Sequence, residues 1–114
     1  MGKVYVYAKE RSEFFRGKSG KQYPFGVYTK DSTFTDDKNL GAVYIFSKDG
    51  HKMEPLYIGE TNELGTRMAH HEKWECVEQH GCTHICIMYS PHIRDRKEAE
   101  TDLRNNYDTP CNRQ

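Results

Sequence analysis

The stretch from Ala42 to Glu60, AVYIFSKDGHKMEPLYIGE, constrains the chain more than any other. Two runs of aliphatic and aromatic residues flank a polar segment, and each run alternates with the two-residue period of a strand. Val43 and Ile45 fall on one face and Tyr44 and Phe46 on the other, while Leu56 and Ile58 oppose Tyr57 and Gly59. Asp49-Gly50 supplies turn chemistry, because a left-handed backbone position costs glycine nothing and aspartate little. The stretch is predicted to be a β-hairpin that presents Tyr44 and Tyr57 on a common face.

A chain of 114 residues holds one modest core. With 35% hydrophobic and 30% charged residues, and eight tyrosines, it is polar but composed like an ordered domain. No apolar run approaches bilayer-spanning length, and the polar start MGKVYVYAKERS has no secretory core, so a cytoplasmic protein is expected. Four cysteines are then expected as free thiols. Cys76, His80, Cys82, His84 and Cys86 invite a zinc site, but their spacing fits none of the common structural zinc patterns. The net charge of zero hides an asymmetry: residues 1–40 carry 8 Lys and Arg against 5 Asp and Glu, and residues 41–114 carry 9 against 12. A footprint for an anionic partner is thereby biased toward the N-terminal third.

Lys3–Ala8 alternates valine and tyrosine as a strand does, and Pro24–Lys30 is a candidate to pair with it. Between them, Lys9, Arg11, Arg16, Lys18 and Lys21 surround Phe14 and Phe15. This segment is either a mobile basic loop that tracks a phosphate backbone and stacks bases on its rings, or a solvated hairpin loop whose phenylalanines enter the core. Beyond Glu60 the apolar period lengthens. Thr61 or Asn62 can cap a helix burying Leu64 and Met68, on which Arg67 and His71, four apart, would share a side. Arg67 is also placed to pair with Glu63 or Glu72. A second short helix ends at Gly81, Thr83–Tyr89 is a third strand, and Ser90-Pro91 opens a helix with the stripe Ile93, Ala99, Leu103 and Tyr107. Glu100 borders that stripe, with Arg96 and Arg104 four residues to either side.

Ala42-Val43-Tyr44, Tyr57-Ile58-Gly59, Arg67 ten residues later, His71, then Glu100 and Asn112 form an ordered set that resembles the GIY-YIG nuclease superfamily over residues 42–112. Ala42 stands where the family pattern has glycine. Gly26-Val27-Tyr28 has better letters but lies 29 residues from Tyr57, against 13 for Tyr44. The resemblance implies a small α/β fold, with a central antiparallel three-stranded sheet flanked by helices in residues 41–114. Residues 1–40 would form a β-rich extension packed on it.

The activity implied is endonucleolytic hydrolysis of phosphodiester bonds, in DNA ahead of RNA, with one Mg²⁺ or Mn²⁺. Glu100 would hold the metal and Arg67 would grip the phosphate with its planar fork. Tyr44 would act as base with His71 as helper, while Tyr57 orients the water. Gly59 and Asn112 would support substrate binding, and Arg11, Arg16 and Lys18 would extend the nucleic-acid contact. Glu60, directly after the second motif, places a negative charge near the expected phosphate. The alternative is a catalytically weak member of the same fold that binds nucleic acid or a protein partner.

Overall fold

A computed structural model describes residues 9–34 and 40–113. The predicted hairpin forms, as β3 (Ala42–Asp49) and β4 (Met53–Thr61). Three further strands, β1 (Arg11–Arg16), β2 (Gln22–Thr29) and β5 (His84–Tyr89), join it in one antiparallel sheet ordered β1-β2-β5-β3-β4. This corrects the expectation of a three-stranded sheet. The β5-β3-β4 portion corresponds to the three strands foreseen, but β5 is apolar on both faces, with Ile85 and Cys86 both fully buried. Such a strand belongs inside a sheet rather than at its edge, and β2 covers its second edge through the register Val27–Cys86 and Tyr28–Ile85.

The basic segment is also corrected. Residues expected as a loop, either mobile or with its phenylalanines in the core, form β1, in which Phe15 is buried while Phe14 is 65% exposed, the alternation of a strand with one wet face. The turn that follows is docked rather than protruding. Asp102 accepts hydrogen bonds from Ser19 N–H (2.9 Å), Ser19 Oγ (2.7 Å) and the Tyr23 hydroxyl (2.8 Å), and Gly20 takes the positive φ of 93° that the turn needs. The partner of β2 is thus β1; the strand expected at Lys3–Ala8 lies outside the described residues.

Short helices cover both faces. α1 (Leu64–Ala69) and α2 (Trp74–Gln79) pack Leu64, Met68 and Val77 against Tyr44, Phe46, Ile85 and Ile87. On the other face, α3 (Ile93–Asn106) packs Ala99 and Leu103 against Val43, Ile45, Ile58 and Phe15. Strict alternation fails once in the hairpin. Phe46 pairs with Tyr57 and Ser47 with Pro55, so Leu56 is a bulge residue and joins the Tyr44 face instead of the Ile58 face. α2 ends as expected at Gly81, whose φ of 86° lets its N–H reach Glu78 O and the Cys82 N–H reach Val77 O.

The α3 stripe differs from its prediction at two places. Ile93 is 60% exposed, and Arg96 takes the buried position with 3% exposure. Arg96 does not pair with Glu100. Its Nε donates to Glu60 at 2.8 Å, and its Nη1 donates to the carbonyls of Ser90 and Pro91, closing the open backbone groups ahead of the helix. The expectation of four free thiols is corrected as well: Cys76 and Cys111 form a disulfide, while Cys82 and Cys86 are free and buried. Among the described residues no helix is long and apolar enough to cross a membrane.

Candidate active site

The Tyr44 side chain is 1% exposed and lies where β3 passes under α1 and the loop after it. Its hydroxyl oxygen is 2.8 Å from His71 Nε2 and accepts from Arg67 Nε at 3.4 Å. The Lys73 N–H donates to His71 Nδ1 at 3.0 Å, so that nitrogen carries the lone pair, and in the neutral ring the proton sits on Nε2, pointing at Tyr44. With two N–H groups directed at its oxygen, the Tyr44 proton turns toward Tyr57, whose hydroxyl favours the protonated phenol. Tyr57 stacks on Tyr44 with ring centroids 6.1 Å apart and is only partly buried, so it presents this group of side chains to water.

Local sequence explains the approach. Tyr44 pairs with Gly59 across the hairpin, and a Cβ at Gly59 would lie 2.6 Å from the Tyr44 hydroxyl and 2.9 Å from Tyr57 Cε1. No larger residue leaves room for both rings. Asn112 fixes the outer edge of the same strand. Its Oδ1 accepts from the Ile58 N–H at 2.8 Å and its Nδ2 donates to the Ile58 carbonyl at 3.0 Å, an imitation of strand pairing. Both amide atoms are engaged, so Asn112 positions β4 and has no donor or acceptor pair to offer a substrate.

The electrostatics reassign the proposed base. Burial pushes the Tyr44 phenol well above its ordinary value, and the opposing influence of Arg67 does not overcome it, so Tyr44 stays protonated at neutral pH. His71 cannot substitute. Burial first, then the Arg67 charge, pushes its pKa down to about 4, and both ring nitrogens are occupied. Nor do Arg67 and His71 share a helix, since α1 stops at Ala69; the loop turns His71 back to meet Arg67 at the Tyr44 oxygen. Of the two tyrosines, Tyr57 is the one that is only partly buried.

Arg67 has the geometry of an anion clamp and holds an anion already. Nη1 and Nη2 donate to the two Glu72 carboxylate oxygens at 2.7 and 3.0 Å, holding the Glu72 pKa down to about 2. Of the two pairings open in the sequence, Glu63 and Glu72, the structure selects Glu72. Glu60 stands apart from the tyrosines. It pairs with Val43, so it faces α3 rather than Tyr44; burial alone would raise its carboxyl, but Arg96 and Lys97 outweigh that and hold it below the usual range.

Glu100 does not join the tyrosines. It lies on α3, whose buried residues pack on the opposite face, and its charged neighbours are Arg104, Lys97 and Glu60. It makes no hydrogen bond or ion pair among the described residues. Burial raises its pKa, and the Arg104 and Lys97 charges do not fully offset it. Arg11 is committed to Glu13 and to Asp49 at the end of β3, and Arg16 and Lys18 belong to β1 and its turn, three strands along the sheet from β3.

Sequence reasoning missed the Arg96–Glu60 pair, for which the available signal was a charged residue falling on an apolar stripe. Comparison of the chain with protein-family models, curated proteins and solved structures finds no match.

Proposed function

We propose that the chain is a divalent-metal-dependent endonuclease of the GIY-YIG kind, hydrolysing phosphodiester bonds in DNA. One observation carries the reading: a buried tyrosine oxygen held by both a neutral imidazole and an arginine, beside a second tyrosine open to water. A core tyrosine needs one partner, and this arrangement supplies a positioned hydroxyl and a forked cation side by side.

In the proposed reaction Arg67 exchanges Glu72 for the substrate phosphate, keeping its bidentate geometry. Tyr57 reacts as its phenolate, which the Tyr44 O–H, aligned by His71, stabilises by donating to it, and it becomes the phenol as it takes the proton of the attacking water. The water oxygen bonds to phosphorus as the P–O bond to the leaving sugar oxygen breaks. Glu100, on α3 and apart from the tyrosines, would be the residue to hold Mg²⁺ or Mn²⁺, which would supply positive charge for the leaving oxyanion of a substrate that reaches it. The acid pairing at Arg67 favours a second reading, a binding module in which Glu72 holds the clamp closed.

Divalent-ion calorimetry beside plasmid cleavage separates the parts. Glu100→Gln should stay folded, because burial already favours a neutral side chain there, and should lose both metal affinity and cleavage. Arg67→Ala should lose cleavage while keeping metal affinity. Unchanged metal affinity in Glu100→Gln removes the ligand assignment; wild-type cleavage by Arg67→Ala removes the clamp. Nucleic-acid binding without any cleavage by the wild type supports the module.

A further inference from the structure

α2 and the C-terminal turn at Pro110–Asn112 meet in a second cluster, away from the tyrosines. Cys76 sits in α2 and His80 four residues later at its C-cap, so the two side chains lie on one side of the helix. Cys111 enters from the Pro110–Asn112 turn. His80 Nδ1 is 3.9 Å from each sulfur, and the three side-chain atoms all lie within 4.8 Å of one another. We propose that reduction of the Cys76–Cys111 disulfide by a dithiol converts this cluster into a Zn²⁺ site with Cys76, Cys111 and His80 as its protein ligands.

The chemistry balances. A dithiol reductant delivers two electrons and two protons, becoming a cyclic disulfide while the Cys76–Cys111 bond opens to two thiols. Zn²⁺ then displaces the thiol protons and binds two thiolates and one imidazole, a set in keeping with its preference for sulfur and nitrogen. Bond lengths of about 2.3 Å to sulfur and about 2.05 Å to nitrogen in a tetrahedron place sulfur and nitrogen about 3.6 Å apart, within a few tenths of an ångström of the distances here. His80 now donates from Nδ1 to the Cys76 carbonyl at 2.9 Å, and a small ring rotation frees that nitrogen as a ligand, leaving Nε2–H to solvent. His80 is exposed, so the fourth position is open to water.

The other thiols are no competitors. Cys82 and Cys86 are buried, with pKa values pushed by burial up to about 11 and about 12, and their contacts are the His84 carbonyl and the Ser47 hydroxyl. The described residues hold one group of three candidate ligands, and it is this one. The cluster also has a structural task, because Cys111 precedes the Asn112 that clamps Ile58, next to Tyr57 and Gly59. Zinc would keep the C-terminal turn tied to α2 where a reducing compartment removes the covalent link.

The test is Zn²⁺ binding to the full chain, oxidised and after dithiol reduction, by competition with a chromophoric chelator and by native mass spectrometry. Circular dichroism tracks the fold, and Co²⁺ serves as a spectroscopic stand-in. The reduced protein should take one Zn²⁺ and show sulfur-to-cobalt charge-transfer bands with tetrahedral cobalt; the oxidised protein should take none. Exposed His80→Ala, which keeps every cysteine, should weaken binding by more than about tenfold, and Cys111→Ser should do the same. Equal binding by the oxidised chain, or by His80→Ala, would place the metal elsewhere and overturn the proposal. So would a reduced chain that takes no zinc, whether it stays folded or unfolds and is not refolded by the metal.

Discussion

Acidification from pH 7 to pH 5 should weaken the fold by about 2 kcal/mol through His71 alone. The imidazole is 6% exposed, and its pKa is pushed down from 6.5 to about 4 by burial and by Arg67. In the unfolded chain the same ring takes up a proton near pH 6.5. Between these values the unfolded state binds the extra proton, so stability rises with pH across the window of about 4 to 6.5 and falls on acidification. The full difference of about 2.5 pKa steps is worth about 3 kcal/mol, of which about 2 is already lost at pH 5. Glu72 acts in a lower window. Its pKa is held down to about 2 by Arg67, so its contribution is present above about 4.5 and fades only below it.

Urea unfolding under non-reducing conditions reads this out, with the single tryptophan as reporter. Trp74 stacks on Phe46 at 4.5 Å, and Phe46 in turn lies 4.8 Å from the His71 ring, so its fluorescence follows this part of the core. At roughly 1.5 kcal/mol per molar urea, the midpoint should fall by about 1 M between pH 7 and pH 5. His71→Gln removes the titrating group and should flatten that dependence, whatever its own effect on stability. Parallel pH profiles for the two proteins would refute the assignment of a buried neutral His71.

Two further outcomes follow from other charges. Glu72→Gln should strengthen binding of a short metal-free phosphodiester to Arg67 by up to about fivefold, because an exposed bidentate pair costs about 1 kcal/mol or less to displace; fluorescence anisotropy that shows no gain removes the competition. Arg96→Ala should destabilise by about 3 kcal/mol or more in urea unfolding, since it strands a largely buried Glu60 and opens the Ser90 and Pro91 carbonyls, and a loss under 1 kcal/mol would show that water replaces the guanidinium freely.

The contrast between these residues shows what a sequence reveals. The hairpin was legible because alternation and Asp49-Gly50 are local, and the motif singled out Gly59, though for substrate binding rather than for the room it leaves two rings. Leu56 was not, because a bulge depends on which partner residue a strand skips, and Phe46 and Tyr57 are eleven residues apart. The five-stranded sheet was missed for a similar reason. β2 reads as a half-buried strand, and its place beside β5 follows only when β5 is seen to be apolar on both faces. Arg96 and Cys111 are more remote still: their partners, Glu60 and Cys76, are 36 and 35 residues away, and each alone reads as a surface cation or a free thiol.

The same distinction governs the candidate site. Spacing was sufficient to collect Tyr44, Tyr57, Arg67 and His71, because side-chain identity is written in the sequence. Proton roles are not, because they depend on burial and on backbone donors. An unperturbed histidine is a fit base at neutral pH, and His71 loses that fitness to the apolar rings around it and to one N–H from Lys73. Tyr44 has two N–H donors that would stabilise a phenolate, yet lies too deep to become one. The tyrosine that is only partly buried is then Tyr57. In the proposed reaction the two tyrosines divide the work by depth, the buried one aligned and protonated, the outer one placed to meet the water it would activate.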